Sequence, residues 1–264
     1  MKRLLITGAA GGLGSMCRTR LAHMAETIRL SDISALGDAG PNEEIVQCDL
    51  GDAQAVEALV VGCDGIVHLG GRSVEDRWEV IRNANIDGVL NLYEAARKTG
   101  GPRIVFASSN HAIGFYRQTE HIDATAPTRP DSLYGVSKVF GEAIASMYHD
   151  KFGIETASIR IGSCFPEPKN HRMLSTWLSA DDFVALIERI FAVPVLGCPI
   201  IYGVSDNQAT WWDNSAVSYL GWRPMDNSEP FRPRLDAAMG TPSADAPDAI
   251  YQGGGFATDG IHET

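Results

Sequence analysis

Residues 3–14 read RLLITGAAGGLG, and this stretch decides the fold. An apolar run of strand length, Leu4, Leu5 and Ile6, delivers the chain into Gly8, Gly11 and Gly14 at G-x-x-G-x-x-G spacing, and apolar residues at helical spacing follow from Leu13 to Met24. In such a unit each glycine has a task. Gly8 permits the tight turn, Gly11 lets the backbone approach a pyrophosphate, and Gly14 lets the helix pack close to the strand. The first helical residues, Gly12 and Leu13, then turn unbonded N–H groups toward the anion. Three glycines alone are weak evidence, because turns are glycine-rich everywhere. Their place directly after a first strand, at the opening of a helix, points to a dinucleotide.

Working outward, short β-branched runs recur over Arg3–Thr7, Thr27–Asp32, Glu44–Cys48, Gly65–Leu69, Arg103–Ala107 and Glu155–Ile159. Helical spacing fills the gaps over Leu13–Met24, Asp52–Val61, Trp78–Lys98 and Ser132–Lys151. Several runs are continuously apolar, as strands buried on both faces of a parallel sheet must be. The expected fold is therefore α/β, a Rossmann-type doubly wound parallel sheet with a small carboxyl-terminal cap. Residues 1–165 would form the dinucleotide-binding domain. Residues 166–264 would form the cap and an extended tail, packed as one unit with the first. Here the spacing predicts a helix over Ala180–Phe191, a strand over Pro199–Gly203 and a helix near Trp211–Leu220. The last twenty-five residues, with Pro242, Pro247 and the run Gly253-Gly254-Gly255, lack periodicity and read equally as an oligomer arm or as disorder.

Asp32 ends the second strand, near the spacing at which an acidic residue bonds the adenosine ribose. Its carboxylate would repel the 2′-phosphate of NADP, and the residues after it, Ile33 first, supply no compensating arginine, so NAD is favoured. Asp49, beside Leu50, could bond the adenine amino group or cap a helix. Leu69, Gly70 and Gly71 close the fourth strand where the backbone must pass near the cofactor.

Tyr134 and Lys138 stand four apart on a predicted helix and so share a face. A phenol is a poor base near neutrality, but a neighbouring ammonium and a positive nicotinamide ring both favour the phenolate. Tyr134 could then take a proton as hydride leaves. Ser109 ends the fifth strand at the carboxyl edge of the sheet, where ligands sit in such folds, and Asn85 lies on the preceding helix.

The layout of Gly8, Gly11, Gly14, Asp32, Asn85, Ser109, Tyr134 and Lys138 resembles the extended short-chain dehydrogenase/reductase family over residues 1 to about 165, and LGWRP at 220–224 is similar to its carboxyl-terminal signature. The resemblance implies that Ser109 holds the reacting hydroxyl, that Lys138 orients the ribose and depresses the tyrosine pKa, and that Asn85 supports the lysine through water. More specifically, FASSNH (106–111), RIGSC (160–164), RMLSTW (172–177) and WWDN (211–214) are similar to the uronate-oxidising dehydrogenases within that family. This implies that cyclic glucuronate or galacturonate loses hydride from carbon 1 to NAD and leaves as an aldarolactone.

A uronate presents one carboxylate and several hydroxyls, which call for a bidentate arginine and short polar side chains. Arg172 is the candidate clamp, with a solvated loop charge as the competing reading. Ser73, Ser109, Asn110, His111, Tyr134 and Ser163 are the hydroxyl partners carried over from the resemblance. His111 could equally be a satisfied core histidine. Arg160, at a strand end, reads as structural. Asn110 and His111 after Ser109, with the short stretch of chain beyond Lys138, favour a free monosaccharide acid over a nucleotide-diphosphate sugar. Two alternatives stay open: a sugar-nucleotide epimerase or dehydratase using the same tyrosine and lysine, and a non-catalytic NAD-sensing protein.

Composition bounds the partners. A net charge of −11 with no basic stripe argues against nucleic acid. No segment has the length and apolarity of a membrane span, and five cysteines with no C-x-x-C pair argue for a reducing compartment, so the expectation is a cytoplasmic protein without a membrane partner or metal. A homo-oligomer is expected, and the family resemblance implies helices equivalent to Trp78–Lys98 and Ser132–Lys151 as its common seam.

Overall fold

The computed structural model describes residues 1–240 and 242–262. The chain runs β1 (Arg3–Thr7), α1 (Gly12–Arg20), β2 (Thr27–Asp32), β3 (Glu43–Gln47), α2 (Ala53–Val60), β4 (Gly65–His68), α3 (Trp78–Ile81), α4 (Gly88–Lys98), β5 (Arg103–Ser109), β6 (Ile122–Asp123), α5 (Leu133–Phe152), β7 (Thr156–Ile161), α6 (Met173–Thr176), α7 (Ala180–Ala192), β8 (Ile200–Gly203), β9 (Trp212–Asp213), α8 (Arg232–Met239) and α9 (Pro247–Ile250). Seven strands form one parallel sheet in the order β3-β2-β1-β4-β5-β7-β8, and β6 pairs with β9 apart from it. Strand order reverses between β1 and β4, which opens a crevice at the carboxyl ends of the strands.

Both faces of the sheet are apolar, with a period of two. Leu4, Ile6, Val67, Val105 and Ala107 point into a core closed by Cys17 and Leu21 beside α1 and by Phe183, Leu186 and Ile187 of α7. Leu5, Ile66, Ile104 and Phe106 point the other way, against Val56 of α2, Leu92 of α4 and Ala145 of α5. A third cluster, around Tyr116, Tyr202, Trp211 and Trp212, supports the loops beyond the sheet.

The structure departs from the expectations in two places. The helix expected over Trp78–Lys98 contains a π-helical turn, Arg82–Asp87, between α3 and α4. The helix expected near Trp211–Leu220 is instead β9 followed by a 3₁₀ turn over Ser215–Leu220, because Trp211 and Trp212 are claimed by the third cluster and Asp213 bonds the Ser215 N–H at 2.7 Å. The residues after 165 pack with the sheet: α7 covers one face and β8 pairs with β7 as its seventh strand. What lies over the cleft is formed by loops and by the tail. That tail is structured over its described residues, carrying α9 and a 3₁₀ turn at Gly254–Ala257, with Arg117 bridged to Tyr251.

Candidate active site

A cleft of about 1580 Å³ follows the carboxyl ends of β1, β2, β4, β5 and β7. That exceeds the span typical of a single small ligand and leaves room for a dinucleotide and a sugar together. At one end Gly8 adopts a left-handed φ of +70°, and a Cβ there would lie 2.7 Å from the Gly70 nitrogen; a Cβ on Gly14 would lie 2.0 Å from the Gly8 carbonyl oxygen. Only glycine allows β1, α1 and the Gly70 loop to meet this closely. Helix α1 starts with no side-chain cap and no acidic residue in its first turn, and Gly11, Gly12 and Leu13 line the cleft. Its free N–H groups are thus available to a pyrophosphate.

The Asp32 carboxylate is held at the end of β2 by the N–H groups of Ala10, at 3.0 Å, and Ser34, at 2.9 Å, and it lines the cleft beside Ile33. A carboxylate so placed keeps lone pairs for ribose hydroxyls. Asp49 does not cap α2, a task taken by Asp52 through Gln54 and Ala55. Asp49 accepts instead from the Gly51 N–H at 2.9 Å and lines the cleft beside Leu50. Leu69, Gly70 and Gly71 line it as well.

At the other end Ser109, Asn110, His111, Tyr134, Lys138, Ser163 and Arg172 all line the same cleft, with Ser73 on a facing loop. Helix α5 presents the tyrosine and the lysine on one face. Its start is secured by Ser132, whose hydroxyl accepts from the Gly135 N–H at 2.9 Å, and by the Glu75 carboxylate, which accepts from the Leu133 and Tyr134 N–H groups at 3.1 and 2.7 Å. Burial pushes the Tyr134 phenol up to about 12, opposed by a hydrogen bond from Ser109. Burial also brings the Lys138 ammonium down to about 8. Lys138 Nζ donates to the Ala107 carbonyl at 2.8 Å and lies 5.4 Å from the Tyr134 ring. Desolvation is thus the largest influence on the phenol, and positive charge in the cleft opposes it.

Asn85 is buried in the π-helical turn and does not line the cleft. Its amide accepts from the Arg72 N–H at 2.7 Å and donates to the Arg72 carbonyl and the Ser137 hydroxyl, each at 2.9 Å. These bonds fasten the Arg72–Ser73 loop to α5 through Ser137, the residue before Lys138. A π-helical turn at such a junction is a frequent mark of a functional site.

Two further expectations sharpen. His111 is satisfied on one side and lines the cleft, since its Nδ1 lies 2.8 Å from an Asp131 carboxylate oxygen and its ring stacks on Phe256 with centroids 3.9 Å apart. Arg172 is not a solvated loop charge. Its Nη1 donates to the Gln252 carbonyl at 2.7 Å, burial lowers its pKa, and it forms no ion pair among the described residues. A half-buried guanidinium held by a neutral carbonyl and lining the cleft is well suited to receive a carboxylate. Ser163 is bonded to Thr176, hydroxyl to hydroxyl, at 2.9 Å. Arg160 is structural as expected, joined to the Glu142 carboxylate at 2.9 and 2.8 Å behind the site.

The sequence reading missed Glu75, Asp131, Gln252 and Phe256. Phe256 carried one usable signal, an aromatic isolated among the glycines of an aperiodic tail. The other three reach the site only through tertiary contacts. Among the described residues no cluster of three or more His, Cys, Asp or Glu is arranged for a metal, and no helix is long and apolar enough to cross a membrane.

The model of the NAD dependent epimerase/dehydratase family matches residues 4–182. A uronate dehydrogenase from Agrobacterium fabrum is 62% identical over 263 residues, covering 99% of this chain and 98% of that protein. The structure is similar to a crystal structure of uronate dehydrogenase from Agrobacterium tumefaciens, a tyrosine-to-alanine mutant complexed with NAD, at a TM-score of 0.99 and 60% identity over 100% of both chains. It is similar also to a glucuronic acid dehydrogenase from Chromohalobacter salexigens, at a TM-score of 0.97 and 58% identity over 98% of both chains.

Proposed function

This chain belongs to the NAD dependent epimerase/dehydratase family, and we propose that it is an NAD-dependent dehydrogenase that oxidises carbon 1 of cyclic glucuronate or galacturonate to the aldarolactone. The observation that carries this reading is the convergence, in one cleft, of the Tyr134–Lys138 pair, Ser109 and the half-buried Arg172 with the Gly8–Gly14 turn and Asp32. NAD, when bound, would supply the acceptor for the hydride that leaves carbon 1. The protein's residues do the rest. Arg172 receives the sugar carboxylate, for which a guanidinium is shaped. Ser109 and Tyr134 bond the anomeric hydroxyl, and Tyr134 Oη takes its proton. Lys138, already close to the phenol, favours the ionised form when its ammonium is charged. Gly11, Gly12 and Leu13 would hold the pyrophosphate, and Asp32 the adenosine ribose, with selectivity against a 2′-phosphate. Ser73, Asn110, His111 and Ser163 are proposed to bond ring hydroxyls.

Mixing the purified protein with NAD and galacturonate, then glucuronate, tests the reading through the rise of NADH absorbance. Net NADH is expected with both. Tightly retained NAD without net NADH would favour an epimerase or dehydratase, and cofactor binding without turnover would favour a sensor.

A homo-oligomer is proposed as well, supported by exposed Trp78, Leu90 and Val136 on α3, α4 and α5. Five free cysteines support a reducing, cytoplasmic setting.

A further inference from the structure

Gln252 sits in the tail and is completely buried, although nothing in its sequence neighbourhood explains why a glutamine should be. The contacts of its side chain do. Its Oε1 accepts from the Trp212 indole N–H at 2.8 Å, and its Nε2 donates to the carbonyls of Arg117, at 3.0 Å, and Glu120, at 2.8 Å. Its own N–H donates to the Tyr116 carbonyl at 2.8 Å. A residue fixed at four points cannot move its carbonyl, and that carbonyl is the atom that Arg172 Nη1 reaches at 2.7 Å and Asn110 Nδ2 at 3.4 Å. Two side chains of the proposed sugar site therefore take their bearing from one backbone oxygen.

The glycines beside it make the approach possible. A Cβ on Gly253 would lie 1.8 Å from the Asp131 carboxylate, and one on Gly254 would lie 2.7 Å from Arg172 Nε. Gly253 and Gly254 are in this sense a close-packed seat that a side chain would disrupt.

We propose that Gln252 is a positioning residue for recognition of the hexuronate carboxylate: its locked side chain presents its carbonyl to Arg172 and so sets the angle at which the guanidinium meets the substrate. The inference rests on the hexuronate reading above. It touches neither the cofactor end nor the Tyr134–Lys138 pair, so it predicts a selective effect. Steady-state kinetics of Gln252→Leu should show the Michaelis constant for galacturonate raised about tenfold or more, since a charge-assisted bond is misplaced, with that for NAD changed by less than about twofold. In an Arg172→Ala background, where there is no guanidinium left to aim, the same substitution should change the galacturonate constant by less than about twofold.

Gln252→Asn keeps both polar groups on a side chain one methylene shorter, and it carries the same test with a smaller expected rise if the leucine variant does not fold. An unshifted galacturonate constant in a folded, NAD-binding variant would overturn the proposal. So would an equal rise in the Arg172→Ala background, which would mark Gln252 as a general structural prop. The wild-type control separates the two levels: no NADH from wild type would remove the hexuronate reading itself, whereas wild-type turnover with unshifted variants would remove only the role of Gln252.

Discussion

Tyr134 and Lys138 are each displaced from ordinary behaviour by the same cause, burial beside the cleft. The phenol is pushed up to about 12 and the ammonium brought down to about 8 from 10.5. For Lys138 the folded value lies below the unfolded one, so the folded protein disfavours the charged form. That cost is fully present below pH 8 and is relieved as pH rises toward 10.5. Lys138→Met should therefore stabilise the protein by about 1–3 kcal/mol at neutral pH, a gain that shrinks through this window. Urea unfolding at several pH values checks it. The same variant should move the rising limb of the pH–rate profile to higher pH, because the phenol loses its neighbouring positive charge. Asp32 makes a separate prediction. Asp32→Ala should lower the preference for NAD over NADP by about ten- to a hundredfold, as read from the two kcat/KM values, since it removes a charged ribose acceptor and the repulsion of a 2′-phosphate.

At the scale of elements, α5 shows why the sequence was legible in some places and not in others. Its span was readable from apolar spacing, and Ser132 at its start is an ordinary cap. Strands β1 and β2 were legible to the residue, β1 as a continuous apolar run ended by a turn glycine and β2 by the alternation of Ile28 and Leu30 up to Asp32. Glu75, which binds the same helix start from 58 residues away, carried no local signal, nor did the bonds of Asn85 to Arg72 and Ser137, 13 and 52 residues off. Periodicity reports which face of an element is buried; it is silent about which loop that face will hold. Glu75→Gln should lower stability by about 1 kcal/mol, because a neutral amide binds helix N–H groups less well than a carboxylate. It should also lower kcat while leaving NAD affinity unchanged, since the Tyr134 N–H is one of the groups released. Denaturation midpoints and turnover measured together check both.

The whole molecule joins two ends that the sequence leaves far apart. The amino-terminal turn supplies the cofactor end of the cleft, and the tail returns to the sugar end, where Phe256 stacks on His111 and the Gln252 carbonyl meets Arg172. Aperiodic and glycine-rich, the tail read equally as an arm or as disorder, because its order comes from tertiary hydrogen bonds and not from any face of its own. The chemistry depends on a proton leaving the anomeric hydroxyl for Tyr134 between these two ends. Single-turnover formation of NADH from galacturonate, compared between wild type and Tyr134→Phe with NAD binding measured in parallel, tests this most directly. The rate is predicted to fall by roughly a thousandfold while the Kd for NAD stays within about twofold. A variant that forms NADH at a rate within a few-fold of wild type would contradict the assignment of the base.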